Sequence, residues 1–215
     1  MSNITLVNSE FCSMGRWIVS AAANKLDYDF WDQARFIKEF SDSKNLIQQS
    51  ESITEKLMRD SSDASLKNDL SNIQKKIMNK ILDATNSDNI VIHDFGIEKY
   101  IPKDDTVRKV FIYNNDVNAK CSRVTYEPRY KDLTDDSLRQ SKLVYEDSLR
   151  RMYFRIGNND DKWNDVNHYD LCLNTANLPK SQCSDILVSF LGKPSMSEDE
   201  FQKVVIGRYG DVERD

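Results

Sequence analysis

Histidine and cysteine are scarce in this sequence, with two and four copies in 215 residues. His93 and His168 lie in no spacing typical of metal ligands, which argues against a structural zinc site. The cysteines are far apart and include no C-x-x-C pair, which favours free thiols in a reducing compartment over a disulfide framework. We therefore expect a cytoplasmic protein with no metal held by its own side chains. The four cysteines are Cys12, Cys121, Cys172 and Cys183.

The sequence also lacks a long apolar run, a secretory start and an excess of basic charge. No segment approaches the roughly 20 apolar residues that span a bilayer, and the N-terminus has no signal-peptide pattern. The formal net charge of -5 argues against nucleic-acid binding through a general basic face. We expect neither a membrane nor a nucleic acid as partner, whereas a small phosphate-bearing ligand remains compatible with local arginines.

Short apolar runs alternate with helical stretches along the chain. The runs at 4–7, 89–93, 109–113 and 169–173 have the length of buried strands. Such alternation predicts βαβ units and a parallel sheet covered by helices on both faces, within one α/β domain over 1–215. Helices are predicted after Gly15, at 32–40, twice within 43–84, and at 115–127, 134–155, 181–191 and 198–208.

The segment at 4–26 combines a short strand, a tight loop and a helix. In that arrangement backbone N–H groups and a helix N-terminus face an anion, so the segment predicts a phosphate-binding loop. The pattern G-x-x-x-x-G-K-[ST] is only partly kept, because Glu10 replaces its first glycine and only Gly15 remains. Arg16 replaces the lysine and Trp17 the Ser/Thr. Since Trp17 cannot ligate magnesium, any Mg²⁺ would be held by the nucleotide and water.

Further motifs follow in order along the predicted elements. They are NSEFCSMGR at 8–16, KLD at 25–27, WD at 31–32, VFI at 110–112, KCSRV at 120–124, DSLRRMYF at 147–154, KWND at 162–165 and YDLCLNT at 169–175. With these motifs in this order, the chain resembles the cytidylate kinase-like family of P-loop nucleotide kinases. The resemblance covers most of the chain.

The resemblance implies a three-layer α/β fold of the P-loop nucleotide kinase type, with a parallel sheet of about five strands. It further implies a helical acceptor-side segment over about 32–85 and a helical lid over about 115–168. The implied reaction is phosphoryl transfer from ATP, with Mg²⁺ held by the nucleotide. The implied acceptor is a nucleoside monophosphate similar to CMP or dCMP, or a related small molecule.

The resemblance also assigns candidate site residues. The catalytic candidates, which would neutralise charge on the transferred phosphoryl group, are Arg16, Lys120, Arg123 and Arg150. Asp32 and Asp94 fall on the acceptor side, and Asp32 is equally suited to cap the helix that follows it. Ser13 is suited either to donate to a phosphate or to cap the first helix. The expected phosphate-binding residues are Glu10, Cys12, Ser13, Met14, Gly15 and Arg16.

Two departures from the family pattern concern the presumed site. Cys12 and Met14 stand where the family loop has glycines, and a side chain at a left-handed backbone position costs roughly 1 kcal/mol or more. The family's arginine after the central strand has no counterpart near Asp94 and Phe95. A nucleophilic role for Cys12, whose thiol pKa a helix N-terminus would lower, has no neighbouring base in the sequence to support it.

Three hypotheses of function follow. The first is an active nucleoside monophosphate kinase that aligns ATP and its acceptor under a closing lid. The second is an inactive kinase-like fold used as a nucleotide sensor or an interaction module. In that case the helices within 43–84 become a candidate partner or homodimer surface, although their alternating charges favour a solvated face. The third is a kinase of another small acceptor, in which the altered loop at 94–96 sets the acceptor specificity.

Overall fold

Five parallel strands form the sheet in the computed structural model, which describes residues 2–95, 97–103, 105–192, 196–197 and 199–203. The strands are β1 (Asn3–Ser9), β2 (Asp29–Trp31), β3 (Asn89–His93), β4 (Thr106–Tyr113) and β5 (Leu171–Asn174). Their order across the sheet is β2-β3-β1-β4-β5, and every neighbouring pair is parallel. The predicted parallel sheet is thereby confirmed.

Strand β1 lies at the centre of the sheet. Val7 pairs with His93 of β3 on one side and with Val110 of β4 on the other. Ile4 and Leu6 pack on one face of the sheet and Val7 on the opposite face, and all three are buried. A strand buried on both faces consists of a nearly continuous apolar run, which is why the sequence alone located this strand.

Strand β2 was not predicted from the sequence. It has only three residues and lies at the edge of the sheet, where Trp31 pairs with Ile92 of β3. Three residues are too few to show either an apolar run or an alternating pattern. The strand is therefore fixed by its tertiary partners, with the Trp31 ring fully buried in the core.

Seven α-helices lie between Gly15 and Leu191, and the described residues 199–203 are also helical. The seven are α1 (Gly15–Leu26), α2 (Gln33–Glu39), α3 (Ser43–Arg59), α4 (Ala64–Ala84), α5 (Val117–Arg123), α6 (Asp136–Asn158) and α7 (Lys180–Leu191). The pair of helices predicted within 43–84 is confirmed as α3 and α4. The helix predicted at 115–127 is shorter, because α5 ends at Arg123 and single 3-10 turns follow at Val124–Tyr126 and Pro128–Tyr130. Most of the helix predicted at 198–208 lies outside the described residues.

Aspartates mark the starts of the two longest helices. Asp63 accepts a hydrogen bond from the N–H of Leu66 before α4, and Asp135 accepts one from Leu138 before α6. Such caps satisfy a helix donor that has no partner within the helix and typically contribute about 1 kcal/mol each. Across the described ranges, no helix combines the length and apolarity needed to cross a membrane.

Helices cover both faces of the sheet. Phe36 of α2 and Ile77 of α4 pack on one face against Ile92, whereas Ile18 of α1 and Leu187 of α7 pack on the other. All five side chains are essentially buried. Because full burial of one such side chain stabilises the fold by roughly 1.5–3 kcal/mol, these two clusters hold the three layers together.

The carboxyl ends of β1, β3 and β4 meet along one edge of the sheet. In parallel α/β sheets ligands bind at this edge. Helices α5 and α6 are attached there through a separate apolar cluster, in which Phe11, two residues after β1, packs with Cys121, Val124 and Leu143. Phe11 therefore joins the loop after β1 to the segment that the sequence comparison predicted as a lid.

Candidate functional site

The loop between β1 and α1 contains two residues with left-handed backbone conformations. Cys12 has φ 63° and Met14 has φ 71°. These are the positions at which the resemblance predicted missing glycines. The loop has thus kept a backbone suited to glycine while carrying side chains, at a cost of roughly 1–2 kcal/mol for each residue.

Gly15 allows α1 to start in direct contact with β1. A Cβ atom at this position would lie 2.5 Å from Ser9 Cβ and 2.8 Å from Ser9 Oγ. Both distances are shorter than any van der Waals contact, so no larger residue fits without moving the strand or the helix. The remaining glycine of the loop pattern is therefore required by packing.

The loop leaves a group of backbone donors unused. The N–H of Ser13 donates to the carbonyl of Glu10 at 3.2 Å, and the N–H of Phe11 donates to Asp147 Oδ1 at 2.6 Å. Within the part of the chain that the structure describes, four further N–H groups have no acceptor. They belong to Cys12, Met14, Gly15 and Arg16. Because they surround the start of a 12-residue helix, they form an arrangement suited to an anion.

Arg16 reaches the acceptor side of the site. Its Nε lies 2.5 Å from Asp32 Oδ2, and its side chain is 58% exposed. The other carboxylate oxygen of Asp32 accepts from the N–H of Arg35 at 2.8 Å and caps α2. The capping alternative for Asp32 is therefore confirmed, and the same side chain also holds Arg16 against the loop.

Arg150 crosses from α6 to the ends of β1 and β3. It donates to the carbonyl of Ser9 at 3.1 Å and forms an ion pair with Asp94. Asp94, at φ 59°, also accepts from the N–H of Ser9 at 3.0 Å. The Nε of Arg150 is buried and has no partner among the described residues. The neighbouring Arg151 instead pairs with Asp161 on the outside, so of these two arginines only Arg150 faces the site.

Lys120 contacts the start of the loop through Glu10. It is 8% exposed, and its Nζ lies 2.9 Å from Glu10 Oε2 and 3.9 Å from Asp147 Oδ2. Glu10 in turn accepts from the N–H of Asn114 at 3.0 Å. Arg123 donates to the carbonyl of Cys12 at 3.1 Å. Among the described residues that line the adjacent cleft, Arg123 is present and Lys120 is not.

Asp147 lies at the loop as the first residue of the motif at 147–154, and no site role was predicted for it from the sequence. Burial raises the pKa of its carboxyl to about 6, although the Phe11 N–H, Lys120 and Arg150 act in the opposite direction. The signal was present in the D-x-x-R spacing, since residues three apart share one face of a helix. Asp147 and Arg150 accordingly contact the same loop from α6.

Burial favours the neutral forms of Cys12 in the loop and of His93 beside it. It raises the pKa of the Cys12 thiol to about 12 and lowers the pKa of the His93 imidazole, whose Nε2 lies 3.1 Å from Ser9 Oγ. Ser13 does not cap α1, because Met14 occupies the cap position without a side-chain bond. The Ser13 hydroxyl is fully buried and has no partner within the described ranges.

A cleft of about 1010 Å³ opens beside the loop. One half, the loop half, is formed by residues 10–17 with Arg123 and Arg150. The other, the acceptor half, lies between α2 and α3 on one side and α6 with the 3-10 turns at 124–130 on the other. Representative lining residues of the acceptor half are Asp32, Ile37, Thr54, Glu55, Tyr126 and Tyr145.

The described side chains provide no cluster of the usual metal-ligating residues. No group of three His, Cys, Asp or Glu residues in the described ranges is close enough to hold a metal ion. Trp17, at the position that supplies a hydroxyl ligand in the P-loop pattern, is 66% exposed and lines the cleft. Any magnesium would therefore be held by nucleotide and water.

The fold and the loop together define an α/β protein of the P-loop kinase type. The sequence model of the cytidylate kinase-like family matches residues 3–177, and the chain belongs to that family. The family predicted from the motif order is thereby confirmed. No curated protein matches the chain in sequence.

Solved structures share the fold at low sequence identity. An uncharacterized protein from Eubacterium ventriosum ATCC 27560 gives a TM-score of 0.58 at 16% identity, over 88% of this chain and 98% of that chain. Shikimate kinase from Acinetobacter baumannii in complex with shikimate gives 0.44 at 10% identity, over 88% and 92%. Deoxyadenosine kinase from M. mycoides with bound dATP gives 0.46 at 10% identity, over 89% and 100%. The first similarity supports the fold over most of both chains.

Proposed function

We propose that this chain binds the phosphates of a nucleoside triphosphate, ATP by family resemblance, at the loop before α1 and transfers a phosphoryl group to a small acceptor. The observation that carries the proposal is the group of unused N–H donors at Cys12, Met14, Gly15 and Arg16. Four donors at one helix start favour a negatively charged ligand through direct hydrogen bonds and the helix dipole.

The cleft has two halves, and in this proposal each half receives one ligand. Its volume of about 1010 Å³ lies at the top of the range of roughly 300–1,000 Å³ for a site that holds one drug-sized molecule. The loop half has the N–H donors for a triphosphate, and the acceptor half has walls from α3 and α6. Both ligands would meet at the carboxyl end of β1, where a parallel sheet places its chemistry.

Arg150, Arg123 and Arg16 are the residues proposed to stabilise the transferred group. Phosphoryl transfer demands mostly alignment and neutralisation of charge on the equatorial oxygens, with little covalent work for the protein. Arg150 contacts the end of β1 and Arg123 the loop carbonyl of Cys12. Arg16 has a guanidinium suited to bidentate phosphate contact and would exchange Asp32 for a phosphate oxygen.

Lys120 and Glu10 are proposed to shape the loop rather than to touch the transferred group. Their 2.9 Å contact fixes the start of the loop against α5. Ser13 and Asp94 would act in the same way, Ser13 through its carbonyl contact with Thr175 and Asp94 through Ser9. In this proposal residues 32–85 form the acceptor side and residues 115–168 the lid of a single kinase-like domain.

A nucleotide sensor without turnover is the second candidate. The exposed Trp17 at the position of the metal-ligating hydroxyl favours it, as do the strained Cys12 and Met14. Such a protein would bind a nucleotide through the same N–H groups and leave the phosphate chain intact. The two candidates therefore share the site and differ only in turnover.

Thermal unfolding with a panel of nucleotides tests the shared site. ATP, GTP, CMP, UMP and AMP are added singly and in donor–acceptor pairs, with and without magnesium. We expect a triphosphate to raise the melting temperature by about 4 °C. A shift of this size corresponds to roughly 1–2 kcal/mol of added stability in a protein of this length. Arg16→Ala should remove the shift, whereas Lys25→Ala, at the far end of α1 and paired with Asp185, should keep it.

A coupled assay for nucleoside diphosphate release then separates the two candidates. Turnover that depends on an acceptor supports the kinase, and stabilisation without turnover at high protein concentration supports the sensor. Failure of every triphosphate to stabilise the protein at millimolar concentration contradicts both.

A further inference from the structure

Two of the basic side chains that border the acceptor half are already paired with carboxylates. Arg16 is paired with Asp32. Arg129 lies 3.3 Å from Glu127 and 3.4 Å from the buried Glu146. These pairs are internally compensated, so they offer little free positive charge to a second phosphate.

Lys142 is the basic residue of this half without a carboxylate partner among the described residues. Its ammonium lies over the rings of Tyr130 and Tyr145, at 5.5 Å and 5.3 Å from their centroids. A single ammonium does not match the two charges of a monophosphate group. The acceptor half is thus poorly equipped to hold a nucleoside monophosphate by its phosphate.

Two carboxylates on α3 face the cleft without a basic partner in the described ranges. Glu51 and Glu55 are one helical turn apart and both line the cleft. Glu55 accepts from the Tyr145 hydroxyl at 2.8 Å, and Glu51 accepts from Gln33 Nε2 at 3.2 Å. Since a carboxylate has about four acceptor positions, most of their hydrogen-bonding capacity remains available. They would repel a phosphate dianion and attract hydroxyl donors.

Aromatic rings supply the other component of the lining. Tyr126 is largely exposed, and Tyr130 and Tyr145 complete the wall that faces α3. Ile37 of α2 adds an exposed apolar surface opposite. Flat rings combined with a few acceptor groups are typical of sites that bind ring compounds through stacking and fix their orientation through hydroxyls.

We infer that the acceptor is an uncharged, hydroxyl-bearing ring compound, such as a nucleoside or a sugar, and that Glu55 together with Tyr145 positions its hydroxyls. This inference rests on the proposed function and alters the acceptor implied by the family resemblance. An acceptor hydroxyl oxygen forms the new bond to the γ-phosphorus while the bond to the β–γ bridging oxygen breaks. The nucleoside diphosphate leaves, and the hydroxyl proton is released to solvent.

Matched pairs of ligands test the inference. The full chain is titrated calorimetrically with cytidine, adenosine and ribose and with their 5′-monophosphates, both with and without ATP. We expect at least one uncharged compound to bind tenfold or more tightly than its own monophosphate. Nucleosides and ribose distinguish a base-dependent site from a sugar site, and either result supports the inference.

Isosteric variants link the preference to named side chains. Glu55→Gln should weaken binding of the uncharged compound at least fivefold and leave the affinity for ATP unchanged. The double variant E51Q/E55Q should improve binding of the monophosphate at least fivefold, because two repulsive charges are removed. Lys142→Gln is the matched control, because it removes a positive charge instead of a negative one. It should weaken binding of the monophosphate and leave binding of the uncharged compound unchanged.

The outcomes separate this inference from the proposed function. Failure of ATP to bind contradicts the proposed function, whereas acceptor preference in the ATP-free protein is still measured. A monophosphate that binds as tightly as its uncharged parent overturns the inference. So does the absence of binding by every uncharged compound at millimolar concentration, or a Glu55→Gln variant that leaves all acceptor affinities unchanged.

Discussion

Asp147 Oδ1, on helix α6, accepts a 2.6 Å hydrogen bond from the backbone N–H of Phe11 in the phosphate loop. The carboxylate thereby uses one donor of a loop whose remaining donors are available to an anion. Phe11 also packs against Leu143 of the same helix. The loop after β1 is therefore joined to α6 by one hydrogen bond and one apolar contact.

The first prediction concerns the pH dependence of stability. The pKa of Asp147 is raised from 3.8 to about 6 in the folded chain, so the native state binds the extra proton between about pH 4 and pH 6. This group accordingly lowers the free energy of unfolding as pH rises through that window, by at most roughly 3 kcal/mol. Asp147→Asn removes the titration and keeps an oxygen for the Phe11 N–H, so the variant should be the more stable protein at pH 8.

Urea unfolding at pH 4.5 and pH 8 checks this prediction. For each protein, the free energy of unfolding at pH 4.5 is subtracted from that at pH 8. This difference should be more positive for Asp147→Asn than for the unchanged chain. Identical differences in the two proteins would show that burial of Asp147 carries no energetic penalty.

The second prediction concerns the contact between α1 and β1. Gly15→Ala places a Cβ atom 2.5 Å from Ser9 Cβ, and overpacking of this kind typically costs about 1–3 kcal/mol. Chemical denaturation should show that loss, together with weaker nucleotide binding because the helix start is displaced. Gly157→Ala is the matched control, since its nearest contacts are side-chain atoms at 3.2–3.3 Å. Equal effects of both substitutions would contradict the role assigned to Gly15.

The third prediction concerns backbone strain in the loop. Cys12→Gly with Met14→Gly should relieve left-handed strain of roughly 1–2 kcal/mol per residue, offset in part by the greater freedom of glycine in the unfolded chain. We expect nucleotide affinity to rise several-fold, because the relaxed loop matches the bound geometry. Asp27→Gly, which relaxes a φ of 55° at the end of α1, should change stability and leave affinity unaltered. A double variant with unchanged or weaker affinity would show that the side chains, and not the strain, govern this loop.

The fourth prediction separates neighbouring arginines of α6. Arg150→Ala should lower the turnover number by about 10²–10³, the usual loss for one group that stabilises transition-state charge. Arg151→Ala removes the outer pair with Asp161 and should retain activity. Thermal unfolding of both variants establishes that they are folded when assayed. Comparable losses in the two would contradict the assignment of Arg150.

Much of the fold was predictable because its signals are local. The apolar run of β1, the period of α4 and the single glycine at the start of α1 each reflect burial or packing of residues close in the sequence. Strand β2 was missed because Asp29–Trp31 is held by its pairing with β3 and by burial of one ring. No window of the sequence contains that information.

The site was only partly predictable for a related reason. Arg16, Arg150 and the strained Cys12 and Met14 followed from the motif order, because that order fixes which element each residue occupies. The role of Asp147 depends on its distance from an N–H group 136 positions away. Lys120 was expected beside the transferred group, and its burial against Glu10 is likewise a property of the assembled chain.

The central claim is that the backbone N–H groups of the loop bind phosphate, and amide spectra measure it most directly. The ¹⁵N–¹H resonances of the uniformly labelled chain are followed while ATP is added. We predict saturable shifts that are largest at Cys12, Met14, Gly15 and Arg16 and that are absent when adenosine replaces ATP. Binding of ATP that leaves these four resonances unmoved would contradict the claim.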